Sequence, residues 1–183
     1  MYTGHLGIAL AGKGVRPSVP LWVLIVSAQA CDWLNALVWP LGHADPYSTR
    51  WLIAGNWTAR MASHSLPSVL GLGIVLAVLY YGAMRDVKGA WLVAGVTLSH
   101  VLADYVTAQT PTWPGGPRVG LSLYHDPAVD LVVETGLVCC GWLLYRRSLP
   151  RGHNPAPAWL MLGSLIALQV AADVILRRVF APD

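Results

Sequence analysis

Five stretches of about twenty residues, each apolar and none with more than two charged side chains, constrain this chain more than any other feature. About 20 such residues cross the hydrocarbon core of a bilayer as a helix. The stretches run Pro20–Val38, Ser65–Met84, Ala90–Thr107, Ala128–Tyr145 and Ala158–Leu176. Of the 183 residues 55% are hydrophobic and 11% charged, whereas an ordinary soluble domain carries roughly a quarter charged. Lipid is therefore the expected solvent. The expected fold is all-α: a polytopic membrane helical bundle of about five transmembrane helices plus a short N-terminal half-span, in a single integral membrane domain over residues 1–183.

Local signals support these boundaries. Pro20, Pro127 and Pro157 each stand near the start of a span, where a missing N–H costs least. Tyr2–Ala11 is apolar but too short to cross, and reads as a half-span that enters the bundle and leaves at Lys13. Trp22, Trp39, Trp91, Trp113, Trp142 and Trp159 fall near expected span ends, where an indole suits the headgroup level. The connections Met84–Gly89 and Arg146–Pro157 are short or basic; Pro40–Ala62 and Thr110–Asp126 are longer and rich in Pro, Gly, Trp and Ser. No internal repeat stands out. The start lacks the basic region and clean apolar core of a signal peptide, so the mature chain is expected to begin here.

Charge excludes some functions and orients the rest. The net charge of +3 is spread in pairs along the loops, without the clustered basic face that nucleic acid requires. Three cysteines, two of them adjacent (Cys139, Cys140), give neither a disulfide framework nor a CxxC metal knuckle. With the N-terminus on side A, Lys13, Arg16, Arg85, Lys88, Arg146, Arg147 and Arg151 share that side; Arg50, Arg60, Arg118, Arg177 and Arg178 share side B. The positive-inside rule then favours a cytoplasmic N-terminus in an inner (plasma) membrane.

Ionisable groups within spans are expensive and usually mark function. Here they are His5, Asp32, His64, His100, Asp104, Asp130 and Glu134, with His125 just before the fourth span. His100 and Asp104 stand four apart, on one helix face, close enough to bind one ion or each other. Imidazole with carboxylate suits zinc, manganese or iron. At about 1.5 Å of rise per residue, Asp32 lies roughly 18 Å in from side A, His100 roughly 15 Å, Asp104 roughly 21 Å and His5 roughly 12 Å. His64 opens the second span from side B, as His125 to Asp130 open the fourth, so these groups can converge between mid-membrane and side B. Each also has a plainer reading. A lone intramembrane His or Asp is often a helix–helix hydrogen bond. His64 can be a polar residue at a helix start and His5 an exposed terminal one. The Asp126, Asp130, Glu134 stripe can be partly solvated. His43 and His153 read as loop residues, and Asp173 as a helix-end partner of Arg177.

Several segments resemble bacterial inner-membrane proteins described as membrane-bound metal-dependent hydrolases. Arg60-Met61-Ala62-Ser63-His64-Ser65-Leu66 is similar to their H-R-G-x-T-H-S-L segment, and Ser99 to Thr107 to S-H-x-L-x-D-x-x-T. Gly4-His5 matches an N-terminal G-H, and Cys31-Asp32-Trp33-Leu34-Asn35 stands where P-D-x-D-H is usual. Trp113 to Leu123 resembles the W-P-G-G-P-[KR]-V-G-L-x-L segment of a smaller branch. Ala59, Met61, Leu34 and Asn35 depart from the pattern, which removes ligands unless His125, Asp130 or Glu134 replace them.

The resemblance implies a metal-dependent hydrolase acting on a lipid-linked substrate, most plausibly a phosphoester. His5, Asp32, His64, His100, Asp104 and His125 would hold one or two divalent ions, zinc or manganese for preference. Arg60 would steady a phosphate, Asp130 or Glu134 would serve as base, and the Thr110–Tyr124 loop would cover the site. The expected partners are membrane lipids and the lipid-linked small molecule. Two alternatives stay open: a non-catalytic scaffold or accessory subunit with a degenerate metal site, and a transporter or proton relay. The latter is weakened by the absence of paired repeats.

Overall fold

The computed structural model describes residues 3–41, 57–123, 126–150 and 152–180. Among them the chain is helical almost throughout: α1 Gly4–Val15, α2 Leu21–Val38 with a 3₁₀ turn Trp39–Leu41, α3 Trp57–His64, α4 Leu66–Met84, α5 Val87–Thr107, α6 Pro127–Arg147 and α7 Ala156–Phe180. Five segments are long and apolar enough to cross a membrane, Leu21–Leu41, Leu66–Met84, Val87–Thr107, Ala128–Arg147 and Ala156–Ile175. These are the five expected spans, with ends that differ by a few residues.

The bundle is inside-out relative to a soluble protein. Ile74, Val78, Leu79, Leu102, Val132, Leu160 and Ile175 are exposed along the spans, whereas His5, His64, His100, Asp104, Asp130 and Glu134 are buried. That division is what lipid selects, since ionisable groups in a bilayer turn to the bundle interior.

The half-span is α1. Its twelve residues reach about 18 Å, little more than half the hydrocarbon thickness. It packs against α6, α2 and α5. Against α6 the backbones nearly touch: a Cβ on Gly141 would lie 1.9 Å from the Gly7 carbonyl oxygen, and one on Gly7 would lie 2.6 Å from that of Leu137. Only glycine permits this approach, the small-residue packing that membrane helices use where no hydrophobic effect draws them together. Leu10, Val138, Trp142 and Leu162 join α1, α6 and α7. Ala9, Leu24, Ala28, Tyr80, Val93 and Val96 join α1 to α2, α4 and α5.

On side A, Arg16 after α1 grips Asp86 between α4 and α5, with Nη2 to Oδ1 at 2.8 Å and Nε to Oδ2 at 3.0 Å. Asp86 also caps α5 by accepting from Gly89 N–H at 3.0 Å. The Arg16 guanidinium holds the Asp86 carboxyl below its ordinary range. Trp142 differs from the expectation for a headgroup-level indole: it is 2% exposed, and its Nε1–H donates to the Ala158 carbonyl at 2.7 Å. The short α6–α7 link brings the first turn of α7 over it.

Two expected loops contain structure. Residues 57–64 form α3 inside the connection before the second span, so His64 ends this short helix rather than opening the next one. Pro67 is the reason: with no N–H it cannot donate back to Ser63, and the helix breaks at Ser65. Residues 110–119 form a small antiparallel hairpin, Thr110 opposite Val119 and Pro111 opposite Arg118. It is pinned to the α3–α4 junction by Leu66 N–H donating to Thr112 O at 3.0 Å. Gly120, at φ +150, passes so close to the Ala108 carbonyl that a Cβ would lie 1.8 Å from it.

Candidate metal centre

Four helices deliver five side chains to one buried point. His5 comes from α1, Asp32 from α2, His64 from α3, and His100 with Asp104 from successive turns of α5. His5, His64, His100 and Asp104 have side chains at most 5% exposed, whereas Asp32 is 42% exposed and marks the open side.

Four donor atoms outline a cage. His64 Nε2 lies 3.3 Å from Asp32 Oδ1 and 3.4 Å from Asp104 Oδ2. His100 Nε2 lies 3.6 Å from Asp32 Oδ1, 3.7 Å from Asp104 Oδ2 and 3.3 Å from His64 Nε2. These are five of the six edges of a tetrahedron. An ion with bonds of about 2.0–2.1 Å in tetrahedral geometry places its ligand atoms about 3.3–3.4 Å apart, and Asp32, His64 and His100 form one possible ligand group at that spacing with a slight excess. His5 adds a flank: its ring stacks on His100 at 3.7 Å between centroids and 12° between planes. Its Nε2 is 3.3 Å from the other oxygen of Asp104. His5, His100 and Asp104 make a second possible ligand group, sharing His100 with the first.

The surrounding hydrogen bonds set the protonation of the cage. His100 Nδ1–H donates to the Ala28 carbonyl at 2.7 Å. Ser63 Oγ lies 2.7 Å from both the Ala59 carbonyl and His64 Nδ1. His100 thereby carries its proton on Nδ1 and turns Nε2 inward, and both rings have the outer hydrogen-bond partner that metal-binding histidines characteristically have. Burial lowers the His64 pKa, and the charge of Arg60, one turn earlier on α3, acts in the same direction against the opposing Asp32 carboxylate. Neutral His64 is the form that binds a metal. The two Nε2 atoms lie 3.3 Å apart and face carboxylate oxygens, where they can share one hydrogen or one cation. The buried His and Asp groups can therefore hold a metal ion.

The structure brings together His5, Asp32, His64, His100 and Asp104. Arg60 is buried beside them on α3. Asp130 and Glu134 are also buried, but Glu134 meets the start of α1, accepting from Thr3 N–H at 2.8 Å and Gly4 N–H at 3.0 Å. His125 and His43 lie outside the described residues; His153 is exposed. Asp173, read from sequence as a helix-end group, is 5% exposed and accepts from the Gln169 side chain at 3.2 Å. Sequence reasoning passed over Ser63, Thr3 and Gln169. Only Gln169 carried a signal, a mid-span amide four residues before Asp173. The positions that depart from the resembled motifs, Asn35 and Ala59, both meet Ser63: Asn35 Oδ1 is 3.4 Å from its Oγ, and Ala59 accepts its proton. They support His64 without being ligands.

Fold and site together define a polytopic membrane protein with a buried histidine–carboxylate centre. The sequence profile of the YdjM inner membrane protein family matches residues 2–178, and the chain belongs to that family. It is accordingly a multi-pass protein of the inner membrane. No curated protein and no solved structure matches it.

Proposed function

We propose that this chain is a membrane-embedded metal-dependent hydrolase acting on a lipid-linked phosphoester. The observation that carries the reading is the cage itself: two buried imidazoles and two carboxylates at ligand–ligand spacing, with only Asp32 on the open side. Asp32, His64, His100 and Asp104 hold the ion, zinc or manganese, with His5 as a further ligand or as the group that steadies Asp104. A bound divalent ion supplies an acidified water and charge neutralisation at phosphoryl oxygens. Arg60 offers a planar donor fork for a phosphate oxygen, and its place one turn before His64 sets it beside the centre. Asp32 lines the accessible side, where a substrate that partitions into lipid can approach without crossing the bundle. Glu134 and Asp130 remain candidates for proton handling, although two backbone amides already engage Glu134.

Metal analysis of the purified protein tests this first. Stoichiometric zinc or manganese that is lost in His64→Ala and Asp104→Ala supports the reading. The absence of any stoichiometric ion in wild type, even after soaking with zinc and manganese, overturns it. Release of phosphate or a phosphorylated headgroup from lipid-linked substrates then tests the hydrolase step.

A non-catalytic scaffold keeping one structural ion is the second reading, favoured by the ligand types missing at Leu34, Asn35 and Ala59. Variants of His64 that fold normally yet lose the biological role exclude it.

A further inference from the structure

The first turn of α1 is gripped by both of the last two spans. Besides the two backbone amides held by Glu134 Oε2 from α6, Thr3 Oγ1 donates to Gln169 Oε1 of α7 at 2.7 Å, and Thr3 N–H approaches the same oxygen at 3.3 Å. Gln169 Nε2 in turn donates to the two Asp173 oxygens at 3.2 and 3.3 Å. Thr3, Glu134 and Gln169 are all 0% exposed. A helix start leaves N–H groups unsatisfied, and in lipid each one costs several kcal/mol. One acceptor would relieve much of that cost. Two side chains, one from each span, give more: a fixed position.

What they fix is the helix that carries His5. This ring stacks on His100 and its Nε2 faces Asp104 Oδ1 at 3.3 Å, but its Nδ1 makes no hydrogen bond among the described residues. His64 and His100 each have a hydrogen-bond partner at Nδ1, Ser63 and the Ala28 carbonyl; His5 has none there. Its place is set by the backbone under it, one and two residues after Gly4 and Thr3. The glycine contacts with α6 set the distance of α1 from Gly7 onward; the turn before Gly7, which carries His5, is held by Glu134 and Gln169.

We infer that Glu134 and Gln169 are positioning residues for His5, holding the first turn of α1 so that the imidazole meets His100 and Asp104. The inference rests on the metal-binding reading for its affinity readout, and on His5 alone for its spectroscopic one. It assigns Glu134 an acceptor's task, which a neutral amide can also perform.

The test uses the full chain in detergent micelles, with zinc alone as probe and a chelating dye as competitor. Glu134→Ala is expected to weaken zinc binding about 10–100-fold, the usual effect of losing an outer-shell support. Glu134→Gln should stay within a few-fold of wild type. In a His5→Ala background Glu134→Ala should cause no further loss. Wild-type affinity in Glu134→Ala, an equal loss in the His5→Ala background, or a Glu134→Gln variant as weak as Glu134→Ala would each overturn the inference. Nitrogen NMR of labelled histidines reads it without metal: Glu134→Ala should move the His5 ring signal and leave those of His64 and His100 in place. Wild type that binds no zinc while this shift appears refutes the metal reading and keeps the positioning one; an unmoved His5 signal refutes the positioning. If Glu134→Ala does not survive purification, Gln169→Leu should show the same changes more weakly, and its failure to do so counts equally against the proposal.

Discussion

Two buried polar layers lie within this bundle, and they differ in what their polar side chains meet. In the layer formed by α1, α6 and α7, the carboxylate of Glu134 and the amide of Gln169 meet backbone N–H groups and a hydroxyl. Each observed contact there pairs a donor with an acceptor, and the result is a joint. In the cage between α2, α3 and α5, the outer nitrogens of His100 and His64 meet Ala28 and Ser63, and their Nε2 atoms turn inward to two carboxylates. Both layers bury ionisable groups in a membrane. In the cage two imidazoles and two carboxylates converge on a common point, and that convergence, rather than burial, separates a binding site from a structural contact.

The sharpest way to break this contrast is to remove a cage ligand. His100→Ala should abolish stoichiometric zinc binding while the bundle still purifies, since α5 keeps its apolar contacts; elemental analysis of the variant checks it. A variant that keeps its zinc would mean that the cage is no site. Next in size is the joint between α1 and α6. Gly141→Ala should destabilise the protein by at least about 1–3 kcal/mol, the usual cost of forcing atoms into a packed interior, because the new Cβ meets the Gly7 carbonyl. Unfolding in mixed micelles measures it, with loss of metal following from loss of α1. Ser63→Ala should lower zinc affinity about 10–100-fold with little change in fold, as His64 Nδ1 loses its hydrogen-bond partner. Calorimetric titration separates this from the complete loss in His100→Ala.

The smallest effect should come from the side A surface. Arg16 lowers the Asp86 pKa in the folded chain, so the pair stabilises the fold above the ordinary carboxylate pKa of about 3.9 and loses that contribution as pH falls through the lower folded value. Asp86→Asn should therefore unfold slightly earlier than wild type at neutral pH, with the difference vanishing in acid. Thermal scans at neutral and acid pH show whether it does.

Much of this was legible in sequence because lipid imposes a simple rule. A run of about twenty apolar residues has few alternatives to a spanning helix, so the five spans could be read directly. His100 and Asp104 could be paired from their four-residue spacing, and the depth arithmetic put Asp32 and His5 at a compatible level. The limits of that reading are physical too. Helix spacing along one segment says nothing about which face meets which neighbour, so Glu134 and Asp104, alike as mid-span carboxylates, could not be assigned to different layers. Pro67 signals a break, but the conversion of a loop into α3, which turns His64 inward, depends on packing against α2 and the hairpin. Trp142 shows the same limit, since a tryptophan near a span end is equally suited to a headgroup or to the underside of a neighbouring helix.

By itself, then, the sequence determined that this is a membrane helical bundle with ionisable residues inside its spans, because hydropathy and charge act residue by residue. Only the tertiary structure decided that His5, Asp32, His64, His100 and Asp104 share one point and that Glu134 and Gln169 hold the helix leading to it. Those relations join residues up to 166 positions apart. They arise from helix packing and backbone approach, which no local pattern records.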